Sequence, residues 1–140
     1  MTTGMPPILA KAGSRVRDPE TMTELSIAVQ KAYDWNLWIL PKVEKFSKSY
    51  RFSLGQNLTA LSLELLTSLV DATYQQRNAA PLSAAVRNVN RIRFPIRLAK
   101  DLQQIDLKAY EFASQGLDEL GRMTGGWRKF AQEAGASSPQ

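Results

Sequence analysis

Apolar residues recur at spacings of three and four through most of the chain, the period of an amphipathic α-helix. Sustained two-residue alternation and Asn-Gly or Asp-Gly hairpin turns are both missing, so no strand is predicted. The first helix is read from about Met22 to Leu40. Leu25, Ala28, Val29, Ala32, Asn36, Ile39 and Val43 lie on one face, and Ile27, Trp35 and Trp38 on a second. Pro41 lacks a backbone donor and clashes with the preceding turn, so the helix is expected to kink or end there. The segment Lys-Val-Glu-Lys-Phe-Ser-Lys-Ser then links to the second helix, read from about Ser49 to Gln76.

The second helix carries two stripes. Leu54, Leu58, Leu61, Leu65 and Leu69 form one. Phe52, Leu63, Leu66, Val70 and Tyr74 form the other, on roughly the opposite side. A helix apolar on two sides is buried on two sides, and a second subunit is the natural cover for the outer stripe. Those five residues are the candidate oligomer interface.

The turn Arg-Asn-Ala-Ala-Pro at 77–81 separates the third helix, about Leu82 to Leu102, and Pro81 suits its first turn. Its core face is Ala85, Val86, Val89, Ile92, Ile96 and Ala99, with Pro95 inside the pattern and a kink or break expected there. Asp106 is a good N-cap for the fourth helix, and Ile105 and Tyr110 are placed for a hydrophobic staple. Leu107, Tyr110, Ala113, Leu117 and Leu120 form its face. Gly125 and Gly126 predict its end, with Trp127 folding back on the bundle. Four helices with short connections predict an all-α, up-down-up-down four-helix bundle over residues 22–130. Residues 1–21, rich in Gly and Pro, and residues 131–140 read as flexible tails.

At 140 residues and 44% hydrophobic composition, the chain can build one core and is not of the disordered class. It has no Cys and no His. That removes disulfides, zinc-thiolate and iron–sulfur sites, Ser-His-Asp and Cys-His catalysis, and HExxH metal sites. No GxxxxGK[ST] loop or GxGxxG turn is present, and the acids Asp34, Glu44, Glu64 and Asp71 show no metal-ligand spacing, so no cofactor is expected. The first twenty residues lack an apolar signal-peptide region, and no stretch approaches the roughly 20 apolar residues of a membrane span. A cytoplasmic protein is expected.

Charge placement narrows the function. From Ala72 to Lys100 there is no acidic residue, yet the stretch holds Arg77, Arg87, Arg91, Arg93, Arg97 and Lys100. Twelve basic and thirteen acidic residues make up the rest, so the whole net charge of +5 resides on the third helix and the turn before it. Arg87 with Arg91, and Arg93 with Arg97, are like charges four apart, costing an isolated helix about 0.2–0.5 kcal/mol per pair. An anion meeting this surface would offset that cost, and the planar guanidinium suits phosphate. The partner implied is RNA or DNA. The competing reading has Arg93, Arg97 and Lys100 snorkelling or pairing with acids on a neighbouring helix, such as Asp118 and Glu119. Trp35 and Trp38 read as core or subunit packing, and Asn36 as a satisfied buried amide.

Two strings carry a family resemblance: LPKVEKFSKSYRFSLGQ at 40–56 and RIRFPIRLAKDLQQIDLKAYEFASQGLDELGRMTGGWRK at 91–129. They resemble the accessory variability determinant, Avd, of diversity-generating retroelements, over roughly residues 25–130. That family is similar in turn to the four-helix-bundle proteins encoded by intervening sequences in large-subunit ribosomal RNA genes. The resemblance implies a four-helix bundle with a continuous third helix, assembled as a homopentameric barrel with a basic surface. It implies binding to nucleic acid and to the retroelement's reverse transcriptase in mutagenic retrohoming, in which template RNA is copied into sequence-diversified cDNA. It implies no chemistry of the accessory protein's own. Arg87, Arg91, Arg93, Arg97 and Lys100 lie where the family carries positive charge.

The leading expectation is therefore a non-catalytic, nucleic-acid-binding accessory subunit of a reverse transcriptase. A ribosomal intervening-sequence relative would share the bundle and lack the polymerase; a reverse-transcriptase gene beside a pair of near-repeats separates the two. A small all-α enzyme with a cationic pocket is the distant third. It would need its cations to converge, whereas these arginines point in at least two directions around one helix.

Overall fold

The computed structural model describes the backbone of residues 19–75 and 78–136, and the side chains of 26–75 and 78–133. Four long helices occupy the described residues: α1 (Pro19–Glu44), α2 (Gln56–Tyr74), α3 (Ala80–Asp101) and α4 (Leu107–Ala136). A helical turn, Lys48–Tyr50, and a π-helical segment, Arg51–Gly55, lead straight into α2. No strand occurs among the described residues.

The helices form a ring in chain order, with α1 on α2, α2 on α3, α3 on α4, and α4 closing back on α1. Each neighbouring pair is antiparallel. Along α1, Lys31 pairs with Glu119 and Trp38 packs on Phe112, so position rises on one helix as it falls on the other. The first and third connections meet at one end, where the Ser47 N–H donates to Gln104 Oε1 at 2.7 Å. The up-down-up-down bundle predicted from periodicity is the observed fold.

The core follows the predicted stripes. Ala28, Val29, Ala32, Asn36, Ile39 and Val43 of α1 are buried, as are Leu58, Leu61, Leu65 and Leu69 of α2. Ala85, Val89, Ile92, Ile96 and Ala99 of α3 and Ala113, Leu117 and Leu120 of α4 complete it. Trp35 is also buried, donating its indole N–H to Ser62 Oγ at 2.8 Å. Asn36 Nδ2 donates to the Ala32 and Ser62 carbonyls, both at 2.9 Å, while its Oδ1 has no partner among the described residues. Leu107, expected on the inner face of α4, is instead exposed, because Asp106 caps the helix just before it at the surface end.

Three expected breaks are absent. α1 continues through Pro41 to Glu44, and residues 19–21, read as tail, already belong to it. Pro41 forfeits one hydrogen bond close to the helix end, while Val43 and Phe46 just beyond it are buried. α3 is a single helix from Ala80 to Asp101 with Pro95 inside it. Ile92, Ile96 and Ala99 are packed in the core on both sides of the proline, which favours continuing the helix over breaking it. α4 runs through Gly125 and Gly126 to Ala136, so 131–136 is helix rather than tail. Neither glycine takes a positive φ. Each costs about 1 kcal/mol against alanine in a helix, but Trp127 and Ala131 beyond them are buried, which offsets it. The remaining tail residues, 1–18 and 137–140, lie outside the described residues.

Two local devices set the connections. Gly55 lets the start of α2 close on α1: a Cβ there would sit 2.8 Å from Val43 Cγ1. α3 ends in a Schellman arrangement, with the Gln103 N–H on Lys100 O and the Gln104 N–H on Ala99 O. Gln103 takes φ 61° to make it, a position that glycine normally fills. Asp106 Oδ1 accepts from the Ala109 N–H at 2.7 Å, the predicted N-cap of α4.

Candidate nucleic-acid interface

The basic residues of α3 separate into two flanks. On the α4 side, Arg93 folds over the neighbouring helix. Its Nη1 meets Asp118 Oδ1 at 2.8 Å, and its Nη2 donates to the Leu117 carbonyl at 3.3 Å. Gly121 makes room for it: a Cβ there would lie 3.1 Å from Arg93 Nη2. Lys100 is half-buried, 3.4 Å from Asp101 Oδ1, with its ammonium 4.6 Å from the Tyr110 ring centre. Glu119, the other acid considered for this flank, pairs with Lys31 of α1 instead. Arg93 is thus tied to a neighbouring helix, as the competing reading held, while Lys100 pairs within its own helix and Arg97 makes no ion pair among the described residues.

On the other flank Arg87 and Arg91 are exposed and make no ion pair among the described residues. Arg97, also exposed and unpaired in that sense, lies further round the helix. Arg77 lies outside the described residues. The predicted set of six is therefore not one surface. The structure keeps Arg87 and Arg91 together and separates Arg93 and Lys100 from them.

Arg87 and Arg91 stand over an open groove of about 310 Å³ between α2 and α3. Leu63, Glu64, Thr67 and Ser68 line it from α2, and Ala84 and Asn88 join the arginines from α3. Asn88 and Ser68, facing each other from the two helices, are the buried residues of its lining. Phe94 and Leu98 continue the line of Arg87 and Arg91 at helical spacing, and both are exposed, Phe94 to 73%. Asn88, Ser68, Thr67 and Phe94 did not stand out as site residues in the sequence. Their signal was present: Asn88 sits one residue before the core position Val89, and Phe94 three residues after Arg91.

The proposed oligomer stripe on α2 also divides. Phe52, Leu63 and Tyr74 are exposed, whereas Leu66 and Val70 pack against the core. Leu66 lies one turn after Ser62, which Trp35 and Asn36 of α1 hydrogen-bond, so the spacing carries Leu66 and Val70 toward α1. Leu63, on the solvent side of the same stripe, is a wall of the groove.

An antiparallel four-helix bundle with exposed arginines on its third helix is the class these features define. The chain belongs to the bAvd-like family, whose profile matches residues 26–131. The match covers all of α2 and α3 and most of α1 and α4, including both strings on which the resemblance was read. No curated protein and no solved structure gives a significant match. No helix among the described residues is long and apolar enough to cross a membrane.

Proposed function

We propose that this Avd-type protein is a non-catalytic accessory subunit that binds nucleic acid through the outer face of α3. It partners a retroelement reverse transcriptase in the cytoplasm during mutagenic retrohoming, holding template RNA and nascent cDNA near the polymerase. The observation that carries the reading is the pair Arg87 and Arg91: one turn apart, exposed, without acidic partners among the described residues, and standing over an open groove. Two like charges left side by side are a small cost to the free protein and a phosphate contact in the complex. Arg97 adds a third exposed guanidinium. Family membership supports the accessory role.

Assembly as a homopentamer belongs to the same proposal. Five copies would carry +25 from the +5 of each chain, a strong field for a polyanion. Exposed Phe52 and Tyr74 are the apolar residues of the α2 stripe left free of the groove for subunit contacts.

The test is binding of single-stranded RNA to nuclease-treated protein across a salt series. Three exposed arginines per chain, at about −0.7 per phosphate, give a log–log slope near −2 per bound chain. Participation of all six basic residues would give about −4. No binding near physiological salt overturns the reading. Finding a reverse-transcriptase gene beside the coding region, and co-purification with its product, tests the partner separately.

A further inference from the structure

We infer that the α2–α3 groove is a single-strand subsite that takes one unpaired nucleotide, with Phe94 as the stacking surface beside it. This rests on the reading of α3 as a nucleic-acid surface and goes beyond it, because a charged face alone does not distinguish a strand from a duplex.

The first observation is Asn88. It is only 4% exposed, lines the groove, and makes no hydrogen bond among the described residues. Its amide is not among the side-chain atoms sealed from solvent without a partner, so it opens onto the groove and is available to a ligand there. Ser68, buried on the opposite wall, is in the same condition. The groove holds an amide, two hydroxyls from Thr67 and Ser68, and the Glu64 carboxylate around a common space. Amide and hydroxyl groups each donate and accept, and the carboxylate accepts. That mixture fits a nucleobase edge and sugar hydroxyls rather than an apolar side chain.

The second observation is the order of groups along α3. Arg87, Arg91, Phe94 and Leu98 fall on one stripe, and the arginines form the groove's edge while Phe94 stands beyond them. A strand laid along the stripe places phosphates on the two guanidiniums, one base in the groove and a neighbouring base on the Phe94 ring. Cationic edges interleaved with an exposed aromatic are how single strands are held without strict sequence preference. The volume of about 310 Å³ matches the small end of the 300–1,000 Å³ range of ligand pockets. A duplex keeps its bases stacked and paired, so it can offer phosphates and 2′-hydroxyls but no free base to enter the groove or stack on Phe94.

The experiment compares one labelled RNA oligonucleotide as a single strand and as a blunt duplex, at equal salt, against the full chain. The expected result is roughly tenfold tighter single-strand binding, with Phe94→Ala and Asn88→Ala each removing most of that preference and leaving duplex affinity and salt slope unchanged. Phe94 is exposed, so its variant folds even if the Asn88 variant does not. In the wild-type protein, the Asn88 side-chain NH₂ resonance should shift on adding the single strand and stay in place on adding the duplex. Equal affinity for both forms, with binding still dependent on Arg87 and Arg91, overturns the groove assignment and leaves the charged surface standing. Absence of binding by either form overturns both. A change in assembly mass in the Phe94 or Asn88 variants, with RNA binding intact, assigns the groove to a second copy of the chain and overturns the subsite.

Discussion

α2 has two seams built on different terms. Against α1 the seam is closed: Gly55 admits Val43 at close range, Ser62 takes the Trp35 indole N–H, and Asn36 bonds the Ser62 carbonyl. Against α3 the seam opens toward solvent: Ser68 and Asn88 line a groove edged by Arg87 and Arg91. Both seams bury a serine and an asparagine, so composition does not separate them. The difference lies in what the polar groups face. Where two helices close on each other, a buried hydroxyl and amide stabilise that contact. Where the helices splay, the same groups are left available to a ligand.

The contrast can be broken from the open side first. Arg87→Glu with Arg91→Glu should produce the largest effect. Losing two phosphate contacts at about −0.7 each weakens single-strand binding roughly 25-fold at 0.1 M salt and reduces the slope magnitude by about 1.4. Reversing the charges adds to that loss, and circular dichroism should show unchanged helicity because both residues are exposed. Breaking the closed side should cost stability and not binding. Gly55→Ala drives a Cβ to 2.8 Å from the buried Val43 side chain and should destabilise by about 1–3 kcal/mol in denaturant melts.

Matched serine changes sharpen the comparison. Ser62→Ala leaves the buried Trp35 N–H unpaired, at a cost of about 1–2 kcal/mol and with a changed tryptophan emission. Ser68→Ala breaks no hydrogen bond among the described residues and should alter stability by less than about 0.5 kcal/mol, while weakening single-strand binding. The smallest binding effect belongs to Arg93→Ala. Its pair with Asp118 is partly exposed, so its loss should cost about 0–1 kcal/mol and leave RNA affinity nearly as it was. An Arg93→Ala variant that binds RNA as poorly as the Arg87/Arg91 double variant would erase the distinction between the two flanks of α3.

Much of this was legible in the chain. The bundle follows from helical periodicity, the Asp106 cap from a short polar side chain ahead of an apolar run, and the absence of thiol and imidazole chemistry from composition alone. These are local or additive properties, and a linear sequence carries them in full. The charge excess on α3 was equally plain.

Tertiary packing decided what local rules could not. Pro41, Pro95, Gly125 and Gly126 all signal helix breaks, and the helices continue through each because buried residues lie on both sides. A local preference of about 1–3 kcal/mol yields when the core on either side contributes more. The same holds for the arginines. Arg87, Arg91 and Arg93 are alike in sequence, and only the presence of Asp118 and Gly121 on α4 makes Arg93 a strut. Sequence alone determined that this helix is basic. Which guanidiniums meet a partner was decided by which neighbouring helix supplies a carboxylate within reach, because ion pairing depends on distances across the bundle that spacing along one helix does not contain.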